Sequence, residues 1–85
     1  MISVSRLLEK ARQGPANFGF GDLCRPVEAA GYSRARSRGS HRIYVHEYRS
    51  ELPIINLQRD RSGKAKPYQV HQVLRLIDEQ GLLEE

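Results

Sequence analysis

The chain has 85 residues, a net charge of +4 and 39% hydrophobic content, enough for one small domain with a modest core. Its single cysteine, Cys24, excludes an internal disulfide and a multi-cysteine zinc centre. No run approaches the ~20 apolar residues of a membrane span, and no basic-then-apolar leader opens the chain, so a soluble cytoplasmic protein is the expectation.

In chain order, Val4, Leu7, Leu8 and Ala11 recur at helical spacing with Ser3 or Ser5 as the cap, which predicts a helix over 3–13 closed by Gly14-Pro15. "GPANFGFG" reads as a loop. A second helix is predicted over 22–30, with Leu23, Val27 and Ala30 on one face and Gly31 past its end. Pro26 falls inside it, so the helix is either kinked there or starts late. After Gly31 the period changes to two. "YSRARSR" alternates with arginine, and a strand places alternate residues on one face. Gly39-Ser40 makes a tight turn, "HRIYVHE" is the returning strand, and "ELPIINLQ" is a third strand bounded by Pro53. "RDRSGKAK" is a polar loop. Pro67 fits the first position of a last helix whose stripe is Val70, Val73, Leu74 and Ile77, ended by Gly81. Two helices, three antiparallel strands and a helix predict an α+β domain with the helices on one face of the sheet.

Charge is not spread evenly along this order. Between residues 34 and 66 there are nine cations (Arg34, Arg36, Arg38, Arg42, Arg49, Arg59, Arg61, Lys64, Lys66) against Glu47, Glu51 and Asp60, a net of +6. Eleven of the fourteen cations in the chain are arginine, whose planar fork suits phosphate. A polyanion is the partner this pattern implies.

Three histidines compete for a chemical role. His71 sits at the rim of the last helix's stripe and His46 ends a strand, where ordinary surface positions are expected. His41 follows the Gly39-Ser40 turn directly and has Arg36, Arg38 and Arg42 around it in sequence. A neutral imidazole can exchange a proton near pH 7, and arginines stabilise charge developing on a phosphate. RNA carries its own nucleophile, the 2′-hydroxyl, so one base with cationic support would suffice without a metal.

"RGSHRIYVH" followed by "GKAKPYQVHQVLRLI" resembles the HicA family of toxins, small ribonucleases of toxin–antitoxin systems, and "FGFGDLCRPVEAAGY" fits the family's first core helix. The resemblance covers residues 20–82, leaving residues 1–15 as an additional N-terminal helix and loop on a single domain of 1–85. It implies a fold like that of double-stranded-RNA-binding domains and a metal-independent endoribonuclease that cleaves mRNA and blocks translation, with no cofactor. It implies His41 as the catalytic residue and Gly39 and Ser40 as its supporting turn. Around them, Arg36, Arg38, Arg42, Lys64 and Lys66 are expected to hold RNA and Tyr44 to stack on a base, with a HicB-type antitoxin as protein partner. Many relatives end the third strand with a proline and a second histidine, where this chain reads "INLQRD"; Asn56 and Gln58 bond to RNA but do not shuttle protons at neutral pH. The alternative reading is a non-catalytic RNA-binding module of the same fold.

Overall fold

A computed structural model describes residues 2–83. The elements run α1 (Val4–Gln13), α2 (Phe20–Ala29), β1 (Tyr32–Arg38), β2 (His41–His46), β3 (Ile55–Gln58) and α3 (Pro67–Gln80). The strands form one antiparallel sheet in the order β1-β2-β3. The fold is α+β, a three-stranded antiparallel sheet with three helices, as the change of hydrophobic period predicts.

One face of the sheet makes the core. Tyr32, Tyr44 and Leu57 come from the three strands and are buried with Leu23, Cys24 and Val27 of α2 and Val70, Val73, Leu74 and Ile77 of α3. β2 parity follows from this: Arg42, Tyr44 and His46 point to the helices, while His41, Ile43 and Val45 lie on the opposite face. α1 packs against α2 and α3 through Leu7 and Ala11 and is tied down by paired bonds from Arg12 to the Asp78 carboxylate, both 2.7 Å. Leu7 is fully buried, so truncating it to alanine removes on the order of 2–5 kcal/mol. Ser3 caps α1 by accepting the Arg6 amide, and Gly81 ends α3 in the left-handed conformation at φ +59°.

Three local differences from the sequence expectation have physical causes. α2 starts at Phe20, inside the expected loop, because Phe20 has a core place to fill and Gly19 serves as the cap. The helix then runs through Pro26, which has no N–H to offer the Asp22 carbonyl one turn back. β3 is only four residues long. Residues 49–53 turn instead, with the Leu52 amide bonded to the Arg49 carbonyl and the Pro53 carbonyl accepting from the Tyr32 hydroxyl at 2.9 Å. Finally, the β1–β2 register slips between Arg34 and Arg36, a bulge at Ala35. Arg34 pairs with Tyr44 and faces the helices, whereas Arg36 and Arg38 pair with Ile43 and His41 on the open face. The three alternating arginines are thus divided between two faces. Among the described residues, no helix is long and apolar enough to cross a membrane.

Candidate functional site

The turn that precedes His41 is held by Gly39 at φ +58°, with Ser40 outside the left-handed region, the φ pattern of a type II′ hairpin turn. It closes the register pair Arg38↔His41, so these two side chains stand beside each other on the open face. On the other side His41 pairs with Gln58, and its neighbour Ile43 pairs with Asn56. The period of two in "INLQ" therefore puts both amides on the His41 face and Leu57 in the core.

That register brings the Asn56 Oδ1 to 3.2 Å from His41 Nδ1. With the carbonyl oxygen toward the ring, Nδ1 carries the proton and Nε2 is left as the ring's lone-pair nitrogen. The partner of His41 is itself held. Gln69 of α3 is buried, and its amide donates to the Asn56 carbonyl at 2.9 Å and accepts from the Gln58 amide at 3.0 Å. The Gln58 side chain in turn accepts from Lys66 Nζ at 3.0 Å. Helix α3 thus fixes the end of β3, and β3 fixes the imidazole.

Cations surround this arrangement. Arg36, Arg38, His41, Ile43 and Asn56 line a shallow depression of about 290 Å³. Past the turn, Ser40, Gln58, Arg59, Arg61 and Lys66 line an open groove of about 750 Å³. Asp60 lies in the same groove, but its carboxylate is engaged by the loop. It accepts from the amides of Lys64 and Ser62, both at 2.9 Å, and from the Ser62 hydroxyl at 2.7 Å. The Lys64 amide first, and then the Ser62 hydroxyl, hold the carboxyl below the usual carboxylate range. The carboxylate therefore stays ionised, and the groove is positive on balance because Arg59, Arg61 and Lys66 outnumber it.

This geometry corrects the expected stacking role of Tyr44 and the expected place of Arg42 beside His41. Tyr44 is fully buried, and its hydroxyl donates to Glu28 Oε2 at 2.7 Å; it is a core residue of the helix-facing side and presents no ring to a base. Burial first, then its hydrogen bonds with Cys24 and Glu28, push its phenol well above the usual range. Arg42 follows His41 by one position and so points to the other face of the strand. Its guanidinium lies 5.3 Å from the Phe20 ring centroid and 3.7 Å from Cys24 Sγ, so it does not flank the imidazole. Lys64 uses its backbone to close the loop, pairing with Gly19 and with Asp60. Lys66 is the member of the pair that reaches the sheet end. Gly39, Ser40, Arg36, Arg38 and His41 do come together.

The other reactive side chains are engaged elsewhere. His46 is partly buried, contrary to the exposed position expected of a strand end. Its Nε2 lies 3.0 Å from the Ala30 carbonyl, and Nδ1 accepts the amides of Tyr48 and Arg49 at 3.1 and 3.0 Å. Cys24 is buried, and burial raises its thiol pKa, which keeps it a poor nucleophile. His71 is exposed on α3. No three of the described His, Cys, Asp and Glu residues converge where they would hold a metal ion. No protein-family model, characterised protein or solved structure matches this chain. Sequence reasoning missed the parts played by Asn56 as the histidine's partner, by Gln69 and by the Arg59–Arg61 wall. The alternation in "INLQ" was the available signal for the first; the strand register that completes it is not written in any one segment.

Proposed function

We propose that this protein is a HicA-like toxin, a cytoplasmic endoribonuclease that cuts single-stranded mRNA through His41 and is silenced by a HicB-type antitoxin. The observation that carries the reading is His41 itself. Its Nδ1 is held by Asn56 and its Nε2 is uncommitted, on an open sheet face beside two arginines that have no carboxylate partner among the described residues. The order α2-β1-β2-β3-α3, with helices on one sheet face, is the order expected of the double-stranded-RNA-binding-like core named by the sequence resemblance.

In this scheme His41 Nε2 accepts the proton of the 2′-hydroxyl. The 2′-oxygen attacks the adjacent phosphorus, and the 5′-oxygen leaves and takes a proton from solvent. The products are a 2′,3′-cyclic phosphate and a 5′-hydroxyl, and the His41 imidazolium returns its proton to solvent, which closes the proton balance with no metal called on. Arg38, opposite His41, and Arg36 offset charge developing on the phosphate oxygens, while Lys66 and Arg61 hold flanking phosphates. Base stacking, expected of Tyr44, passes to Tyr68, which is 55% exposed two residues after Lys66. An antitoxin that lays acidic and apolar groups over Arg36, Arg38, Ile43 and Val45 would cover the imidazole.

One observation favours the non-catalytic alternative: the side chains of β3 on the His41 face are amides, Asn56 and Gln58, so this strand supplies no second acid or base. Purified full-length protein incubated with single-stranded RNA in EDTA separates the two. Cleavage with cyclic-phosphate ends, lost in His41→Ala, is the expected result. Tight RNA binding by the parent without any cleavage would leave the binding module.

A further inference from the structure

The flank of the β1–β2 turn that faces the helices carries a second basic site, separate from His41. Arg34, Arg42 and Arg59 converge there with Ser37 and Ser40 around a depression of about 210 Å³ floored by Phe20. No carboxylate lines it, and among the described residues none of the three arginines takes part in an ion pair. Three like charges around one small hollow repel one another, and an anion in the middle converts that repulsion into attraction. Two structural devices create the convergence. The Ala35 bulge turns Arg34 away from Arg36 and Arg38 toward this side. The Phe20 ring and Cys24 Sγ hold the Arg42 guanidinium, at 5.3 and 3.7 Å, so its fork is fixed before any ligand arrives. Serine hydroxyls beside guanidinium groups are the donor set for a phosphate oxyanion.

We infer that Arg34, Arg42 and Arg59 form a phosphate-binding site that takes a phosphodiester of the same RNA strand, next along from the one presented to His41. Ser40 borders both this hollow and the groove of Gln58 and Lys66, and Arg59 lines both as well. A strand that crosses over the Gly39-Ser40 turn therefore meets His41 on one side of the hairpin and the arginine trio on the other. The turn acts as a saddle, and only a single strand, free to bend sharply, can follow it. The phosphate chemistry stands on the arginine geometry alone; that the phosphate belongs to RNA rests on the ribonuclease reading.

Two measurements on the full chain test this. Inorganic phosphate titrated into isotope-labelled protein should give saturable NMR shifts at Ser37, Gly39, Ser40 and the Arg42 side chain. Arg34→Gln or Arg59→Gln should abolish those shifts, and Arg38→Gln should leave them. Arg34 and Arg59 are exposed, and Arg42 is left intact because its stacking supports α2. Absence of saturable shifts in the parent protein would overturn the site. In the second measurement, uncleaved single-stranded RNA binds to protein carrying His41→Ala. Adding Arg34→Gln or Arg59→Gln should weaken affinity about 5–10-fold and lower the slope of log affinity against log salt by about 0.7 for each phosphate no longer neutralised. Unchanged affinity and slope would overturn the assignment to the RNA strand. If even the parent fails to bind RNA, the ribonuclease reading fails, and the phosphate titration still decides the site.

Discussion

The two ends of β2 each carry a histidine, in opposite circumstances. At one end His46 donates from Nε2 to the Ala30 carbonyl and accepts two backbone amides at Nδ1, with the Tyr32 ring edge-on at 5.2 Å. Gly31 lies so close that a Cβ there would come within 2.5 Å of His46 Nε2, so this glycine, at φ +105°, is required twice over. At the other end His41 has one ring nitrogen on Asn56, the other without a partner among the described residues, and arginines for neighbours. A histidine's role is set by how many of its nitrogens the fold itself uses. His46 joins β2 to the end of α2 and to the turn that follows; His41 is positioned and left available.

Exchanging each histidine for alanine should break the two ends in different ways. His41→Ala is expected to lower RNA cleavage about 10²–10⁴-fold, the usual worth of a general base, equal to roughly 3–5 kcal/mol of barrier. Its melting temperature should stay near that of the parent. His46→Ala should do the reverse. Two amides and a carbonyl lose their partner, at a cost of about 1–3 kcal/mol, which in a domain of this size is roughly 5–20 °C in Tm. Activity per folded molecule should be kept. Calorimetry and a cleavage assay on the same preparations give the answer, and a folded His41→Ala protein cutting at the parent rate would falsify the assignment.

Asn56 sharpens the contrast because it is what makes His41 resemble an oriented base. Asn56→Ala should lower cleavage about tenfold, near 1.4 kcal/mol, with little change in Tm. Asn56→Asp should act through charge. A carboxylate beside the ring favours the imidazolium, so a higher pH is needed to obtain the neutral base, and the acid limb of the pH–rate profile moves up. Cleavage then falls most below neutrality and recovers in alkali. A profile that does not move would show that Asn56 has no hold on the imidazole.

Smaller effects are expected away from the site. Tyr44→Phe removes the hydroxyl that donates to Glu28 and should cost about 1 kcal/mol with RNA affinity intact, whereas Tyr68→Ala should weaken RNA binding and leave Tm alone. Fluorescence-detected binding and melting curves distinguish the two. Arg12→Ala breaks the α1–α3 pair, in which the side chains of Arg12 and Asp78 are 46% and 52% exposed, and should cost under ~1 kcal/mol. The bond from Arg12 holds the Asp78 carboxyl below its ordinary value. A depressed folded pKa stabilises above the unfolded value near 3.9 and loses that contribution as pH falls through the folded one. The Tm gap between parent and Arg12→Ala should therefore be fully open at pH 7 and start to narrow only below about pH 4. A gap that does not narrow at all as the pH is lowered would mean that packing of the Arg12 stem, not the charge, ties α1 down.

Much of this was legible in the residues taken in order. The switch from helical spacing to a period of two at Gly31 announced the sheet, and Gly39-Ser40 announced the hairpin and with it the Arg38–His41 pair. Pro67 and Gly81 marked the limits of α3, and the alternation in "INLQ" put Asn56 and Gln58 on one face. These are local signals, carried by backbone preferences that a few neighbouring residues determine.

What no segment contained were the relations between segments. The bulge at Ala35 lies in an unbroken alternation and is visible only against β2, yet it sends Arg34 to the opposite face from Arg36 and Arg38. Whether Tyr44 stacks on a base or fills the core depends on which face α2 and α3 cover, and the same choice removes Arg42 from the His41 side. The pairing of His41 with Asn56 needs the β2–β3 register, and its firmness needs Gln69 from a helix more than ten residues further on. Periodicity determines that alternate residues separate; packing of distant elements determines which set is buried, because the free energy of covering apolar surface belongs to the assembled layers and not to any one strand.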